Sequence, residues 1–77
     1  MKYRHIEGQK FRSGQKVLIS SKRHGEYDLY KAIIVGSYAQ EHGGNNIKLY
    51  DIKILDHDGK PICQMAWFNE SELRVID

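Results

Sequence analysis

Tyr50-Asp51-Ile52-Lys53-Ile54-Leu55-Asp56-His57-Asp58-Gly59-Lys60-Pro61-Ile62 is the stretch that decides the fold. Tyr50, Ile52 and Ile54 alternate with Asp51 and Lys53, so a strand here has one apolar and one polar face. Asp58-Gly59 then supplies a turn. A type I′ turn needs positive φ at both central residues, and Asp-Gly tolerates that well. The stretch therefore reads as the central hairpin of a small, strongly bent sheet. Pro61 has no N–H to donate and fits only a strand start, an edge or a bulge.

Upstream, Gln15 to Ser20 follows the Ser13-Gly14 turn signal as a first strand. Val17 and Ile19 point to the core, and Lys16 and Leu18 point out. Phe11 is the first large apolar anchor. Ser21 to Leu29 is polar with Gly25 in its middle and reads as a long loop. Tyr30 to Tyr38 forms a second strand through Ile33-Ile34-Val35, with Gly36 as a kink or bulge. Gln40 to Asn46 contains Gly43-Gly44-Asn45-Asn46 and reads as a mobile loop. Ile47 and Leu49 are out of phase with Tyr50, Ile52 and Ile54, which places a bulge near Leu49 or starts the pairing there.

Downstream, a fourth strand spans about Ile62 to Phe68. Ala66 and Phe68 face in, and Met65 and Trp67 lie on the other face. Asn69-Glu70-Ser71-Glu72 reads as one capped turn, with Glu72 three positions after the N-cap Asn69. Leu73 plugs one end and Arg74-Val75-Ile76 adds a short fifth strand. The expected core is Val17, Ile19, Ala32, Ile34, Ile52, Ile54, Phe68, Leu73 and Val75.

Seventy-seven residues make one domain of limited stability. The expected division is a flexible N-terminal arm over 1–10 and a folded unit over 11–77. A hydrophobic fraction of 40% excludes a disordered chain. No apolar run reaches the roughly 18 residues of a membrane span, and the N-terminus lacks an apolar leader, so the expected location is cytoplasmic. Cys63 is the single cysteine and reads as a small strand hydrophobe. Residues 1–31 carry eight Lys/Arg against three acids, and residues 32–77 carry four against seven. A basic side directed at nucleic acid is one reading of that asymmetry.

Five short strands, a long first loop, a central hairpin and a helical turn before the last strand describe an SH3-like small barrel. The chain resembles that superfamily over residues 11–77. The resemblance is carried by Gly14-Gln15-Lys16-Val17, Tyr30-Lys31-Ala32-Ile33-Ile34, Tyr50-Asp51-Ile52-Lys53-Ile54 and Trp67-Phe68-Asn69-Glu70-Ser71-Glu72-Leu73. Within it the chain looks most like Tudor-type barrels, and it is also similar to small barrels of bacteria and their phages. The Tudor resemblance implies an aromatic cage for a methylated cation. It places Tyr27 and Tyr30 near one rim, Trp67 near them, and His57 where the family has an aromatic.

His5, His24, His42 and His57 lack the spacing of a zinc site, and Asp56-His57-Asp58-Gly59 is a turn rather than a calcium loop. No nucleophile elbow or phosphate loop appears. The expectation is a non-enzymatic module with no cofactor and no metal. The preferred reading is a bacterial or phage accessory protein that binds a protein partner through exposed Tyr27, Met65 and Trp67. The alternative is a nucleic-acid-binding barrel using Arg12, Lys16, Lys22, Arg23 and Lys31. Neither reading fixes an oligomeric state.

Overall fold

The computed structural model describes residues 10–76. Residues 1–9, most of the expected arm, and Asp77 lie outside the described residues. Lys10 is tied down, because its backbone N–H donates to the Tyr50 hydroxyl at 3.3 Å and to Glu70 Oε2 at 3.0 Å.

The fold is all-β. Its strands are β1 (Lys16–Ile19), β2 (Lys31–His42), β3 (Asn45–Leu55), β4 (Pro61–Asn69) and β5 (Leu73–Val75). They form one antiparallel sheet in the order β4-β3-β2-β1-β5. No ladder joins β4 to β5 among the described residues, so the sheet is open. Yet only the 3-10 turn Glu70–Glu72 separates these two outermost strands in sequence. A flat five-stranded sheet would hold its edges roughly 19 Å apart. Three residues of 3-10 turn rise only about 6 Å. The sheet therefore curls until its edges approach at that end.

The curl is built from bulges. Between Ile34↔Ile52 and Gly36↔Asp51, β2 has one residue too many, Val35. Between Tyr50↔Phe68 and Ile52↔Met65, β4 also has one too many. Both irregularities fall opposite Tyr50–Ile52, so the sheet bends there from two sides. Gly36 adjoins the first bulge, where a kink is expected from the sequence. The phase break at Leu49 arises in the partner strands, not in β3, which runs straight through it.

Turn chemistry differs from the sequence expectation at both hairpins. Gly43 and Gly44 both have positive φ, +60° and +83°, and they join His42 to Asn45 directly. The two-residue type I′ geometry is thus here, and the expected loop over 40–46 is mostly paired strand. At the other hairpin only Gly59 is left-handed, at φ +83°. Gly59 N–H donates to Asp56 O at 3.0 Å, and Asp56 Oδ1 accepts the N–H groups of Asp58 and Lys60. This is a three-residue loop with a glycine bulge, because Asp58 does not adopt positive φ. Pro61 opens edge strand β4, beside a second irregularity at Ile62.

The inner face buries Phe11, Val17, Ile19, Ala32, Ile34, Tyr50, Ile52, Ile54, Phe68 and Leu73. One expected core residue, Val75, and one residue expected to face inward, Ala66, are elsewhere. Val75 is 51% exposed because β5 is a sheet edge with one neighbour. Ala66 is exposed because the β4 bulge reverses the alternation, and Met65 takes the inward position opposite Ile52. Phe11 meets Tyr50 edge to face at 5.5 Å.

The Tyr50 hydroxyl donates to Glu70 Oε2 and accepts the N–H groups of Lys10 and Phe11. Burial, and next the Glu70 carboxylate, push its pKa up to about 12. A phenol with a raised folded pKa stabilises the fold below its unfolded value, and that stability is lost as pH rises through the folded one. Denaturation midpoints should therefore drop between about pH 10 and about pH 12. Tyr50→Phe should cost about 1–2 kcal/mol at neutral pH and should shallow that alkaline limb. An unchanged alkaline limb in Tyr50→Phe would mean another group controls it.

Candidate functional site

Trp67 occupies the bulge of β4. The extra residue turns the backbone there to φ +69°, a left-handed conformation that costs a bulky residue about 1–3 kcal/mol. The side chain nevertheless remains 53% exposed. Several contacts fix it. Its carbonyl accepts Arg23 Nη2 at 2.7 Å, and its indole meets the Tyr38 ring at 5.4 Å and 88°. Arg23 is itself held by Glu72, with Nη2 to Oε1 at 2.8 Å. Its guanidinium lies 6.0 Å from the Phe68 ring centroid, and His24 stacks on that ring at 4.8 Å. The long β1–β2 connection is thus laid along β4.

Asp51 lies opposite the same bulge and is only 2% exposed. The Tyr38 hydroxyl pKa is raised, first by burial and next by the Asp51 carboxylate, with which it also hydrogen-bonds. Asp51 Oδ1 has no hydrogen-bond partner among the described residues. Tyr38 and Asp51 are site residues that strand alternation did not single out, since only the bulge brings them under Trp67.

Glu72 organises the neighbourhood. It accepts Ser21 Oγ at 2.5 Å, Arg23 Nε and Nη2 and the Asn69 N–H at 2.9 Å. The last of these is the reaching-back half of the capping box expected from Asn69 and Glu72.

At the other end of the sheet a groove of about 300 Å³ opens between the end of the β1–β2 connection and the Asp56–Gly59 turn. Lys16 and Lys31 line one side, with Leu29, Tyr30 and His57 around them. Leu29 is 68% exposed and has φ +68°. The rings of Tyr30 and His57 are 5.6 Å apart, and Tyr27 meets Tyr30 at 5.7 Å and 87°.

Of the residues expected to contact a protein, Trp67 is exposed, whereas Tyr27 and Met65 are half-buried against the core. Met65 is inward because of the bulge, and Tyr27 because its hydroxyl reaches the Cys63 thiol at 3.6 Å. Tyr27 and Tyr30 do come together with His57, but no ring contact joins them to Trp67 among the described residues. Of the cations expected to contact nucleic acid, Lys16 and Lys31 share the groove. Arg23 is committed to Glu72 and Trp67. Arg12 and Lys22 are exposed, in the turn before β1 and on the β1–β2 connection. No group of three or more His, Cys, Asp or Glu among the described residues could hold a metal ion. No helix among them is long and apolar enough to cross a membrane. No family model, curated protein or solved structure matches the chain.

Proposed function

We propose that the chain is a non-enzymatic binding module on an SH3-like, Tudor-type small barrel, with a protein partner docking at Trp67. The barrel reading is supported by the strand order β4-β3-β2-β1-β5 and by the three-residue link between the outermost strands. The bacterial or phage setting and cytoplasmic location expected from the sequence belong to the same proposal.

The observation that carries the partner reading is the conformation of Trp67. An exposed aromatic at φ +69° is costly, and Arg23 and Tyr38 hold it there. A residue fixed in advance loses little conformational freedom on binding. Trp, Tyr and Arg are also the side chains that most often dominate interface energies.

Trp67→Gly separates binding from folding. Glycine adopts positive φ without strain, so relief of strain offsets the lost ring contact. Stability should stay within about 1 kcal/mol of wild type. The immobilised protein would be panned against a random-peptide library, with Trp67→Gly as the counter-surface. Enriched peptides should bind wild type alone and shift the fluorescence of its single tryptophan. Absence of enrichment, or peptides that bind both surfaces equally, would sink the proposal.

A further inference from the structure

We infer that the outer face of β5-β1-β2-β3 is a binding surface for single-stranded nucleic acid. This goes beyond the protein partner at Trp67 and uses other residues.

The strand register defines the surface. Val17, Ala32, Ile34, Ile52 and Ile54 face the core, so their neighbours Lys16, Leu18, Lys31, Ile33 and Lys53 face outward. One cross-sheet row reads Arg74–Leu18–Lys31. The next reads Lys16–Ile33–Lys53–Gln64. Each row places a cation on either side of an apolar residue, with the two cations about 10 Å apart across two strand spacings. No acid stands in either row. None of these four cations forms an ion pair among the described residues, where Arg23–Glu72 is the salt bridge present. Four positive charges on one small face, none of them held in an ion pair among the described residues, repel one another, and a polyanion lying across them relieves that repulsion.

The groove beside Lys16 and Lys31 supplies the second half of the argument. Its walls carry two rings, Tyr30 and His57, and the exposed Leu29. Cations that track a phosphate backbone, beside rings that accept an unpaired base, are what single-strand binding requires. A duplex hides its base faces from such rings. Asp56 and Asp58 also line the groove and keep phosphates to the lysine side. Their oxygens can instead accept the amino group of a base.

The cations come from both halves of the chain, Lys16 and Lys31 from the first, Lys53 and Arg74 from the second. A charge balance struck by chain halves therefore understates this surface, and Arg12, Lys22 and Arg23 are not part of it.

The test is fluorescence anisotropy of the full chain with a labelled mixed-sequence oligonucleotide at low salt. Four phosphate contacts give a log–log salt slope of about −3 for a single strand. Lys16→Ala with Lys53→Ala should roughly halve that slope, while Lys22→Ala should leave it unchanged. His57→Ala, at an exposed turn position, should weaken oligonucleotide binding about fivefold and leave inorganic polyphosphate binding unaltered. Circular dichroism of each variant confirms that the fold persists. The inference is overturned by no binding at tens of micromolar protein, or by equal or tighter binding of duplex. It is equally overturned if polyglutamate or polyphosphate displaces the oligonucleotide as effectively as unlabelled oligonucleotide does, or if His57→Ala has no effect.

Discussion

Phe68→Ala is expected to lower stability by about 3–5 kcal/mol, the largest loss of any substitution considered. Phe68 is fully buried and pairs with Tyr50 across β3 and β4. It also floors the Trp67 site, since His24 stacks on its ring and Arg23 lies over it. Truncation leaves a cavity beneath both contacts, and the surrounding strands relax only in part. A domain of this length has roughly 4–12 kcal/mol in total. Thermal unfolding should therefore shift down by more than about 10 °C. A shift under about 5 °C would mean that Phe68 does not anchor the core. The same variant should lose peptide binding at Trp67 even under conditions where it remains folded.

Glu72→Ala is expected to cost about 2–3 kcal/mol, because one carboxylate serves several donors at once. Ser21, Arg23 and the Asn69 N–H all lose their acceptor, and the Glu72 side chain is only 14% exposed. Burial alone would raise the Glu72 pKa, but the bonds from Arg23, Ser21 and Asn69 outweigh it and lower the value overall. A depressed carboxylate pKa stabilises the fold above the unfolded value and is lost as pH falls through the folded one. Wild type should thus destabilise from roughly pH 4.3 downward, and Glu72→Ala should have a shallower acid limb. Chemical denaturation at pH 7, 4 and 3 reads both effects. Equal acid sensitivity in the two proteins would remove Glu72 from its organising role. Arg23 is also freed in this variant, so Trp67 should become more mobile.

Much of the strand content is readable from alternation alone. Val17, Ile19, Ile52 and Ile54 sit inward as their period of two requires. The capped turn before β5 is readable from Asn69 and Glu72 because both groups act within four residues. What the sequence hides is the count of residues facing each other across strands. The extra residue of β4 opposite Tyr50–Ile52 turns Met65 in and Ala66 out, and it creates the strained Trp67. Nothing in the residues Gln64-Met65-Ala66-Trp67 marks where that extra residue falls. The cation rows are hidden for a related reason. Lys16 and Lys53 are each legible as outward, but their nearness depends on the pairings Lys16↔Ile33 and Ile33↔Lys53. Gly43-Gly44 shows the opposite case. Two adjacent glycines suit a loose loop and a tight I′ turn equally well, and the length of the flanking strands decides for the turn.

The pairing of β1 with β5 has a kinetic consequence. β2, β3 and β4 follow one another through short turns, so their ladders close small loops and can form early. The ladder Val17↔Val75, Leu18↔Arg74 and Ile19↔Leu73 joins nearly opposite ends of the described chain. Closing so long a loop carries an entropy penalty that is met only after the rest of the sheet has organised. β5 is therefore expected to dock late, after the rate-limiting barrier. Weakening β5 should hasten unfolding while leaving the folding rate almost untouched. In the native state, the same three-residue edge strand should be the first to peel away, read as the fastest amide hydrogen exchange in the sheet.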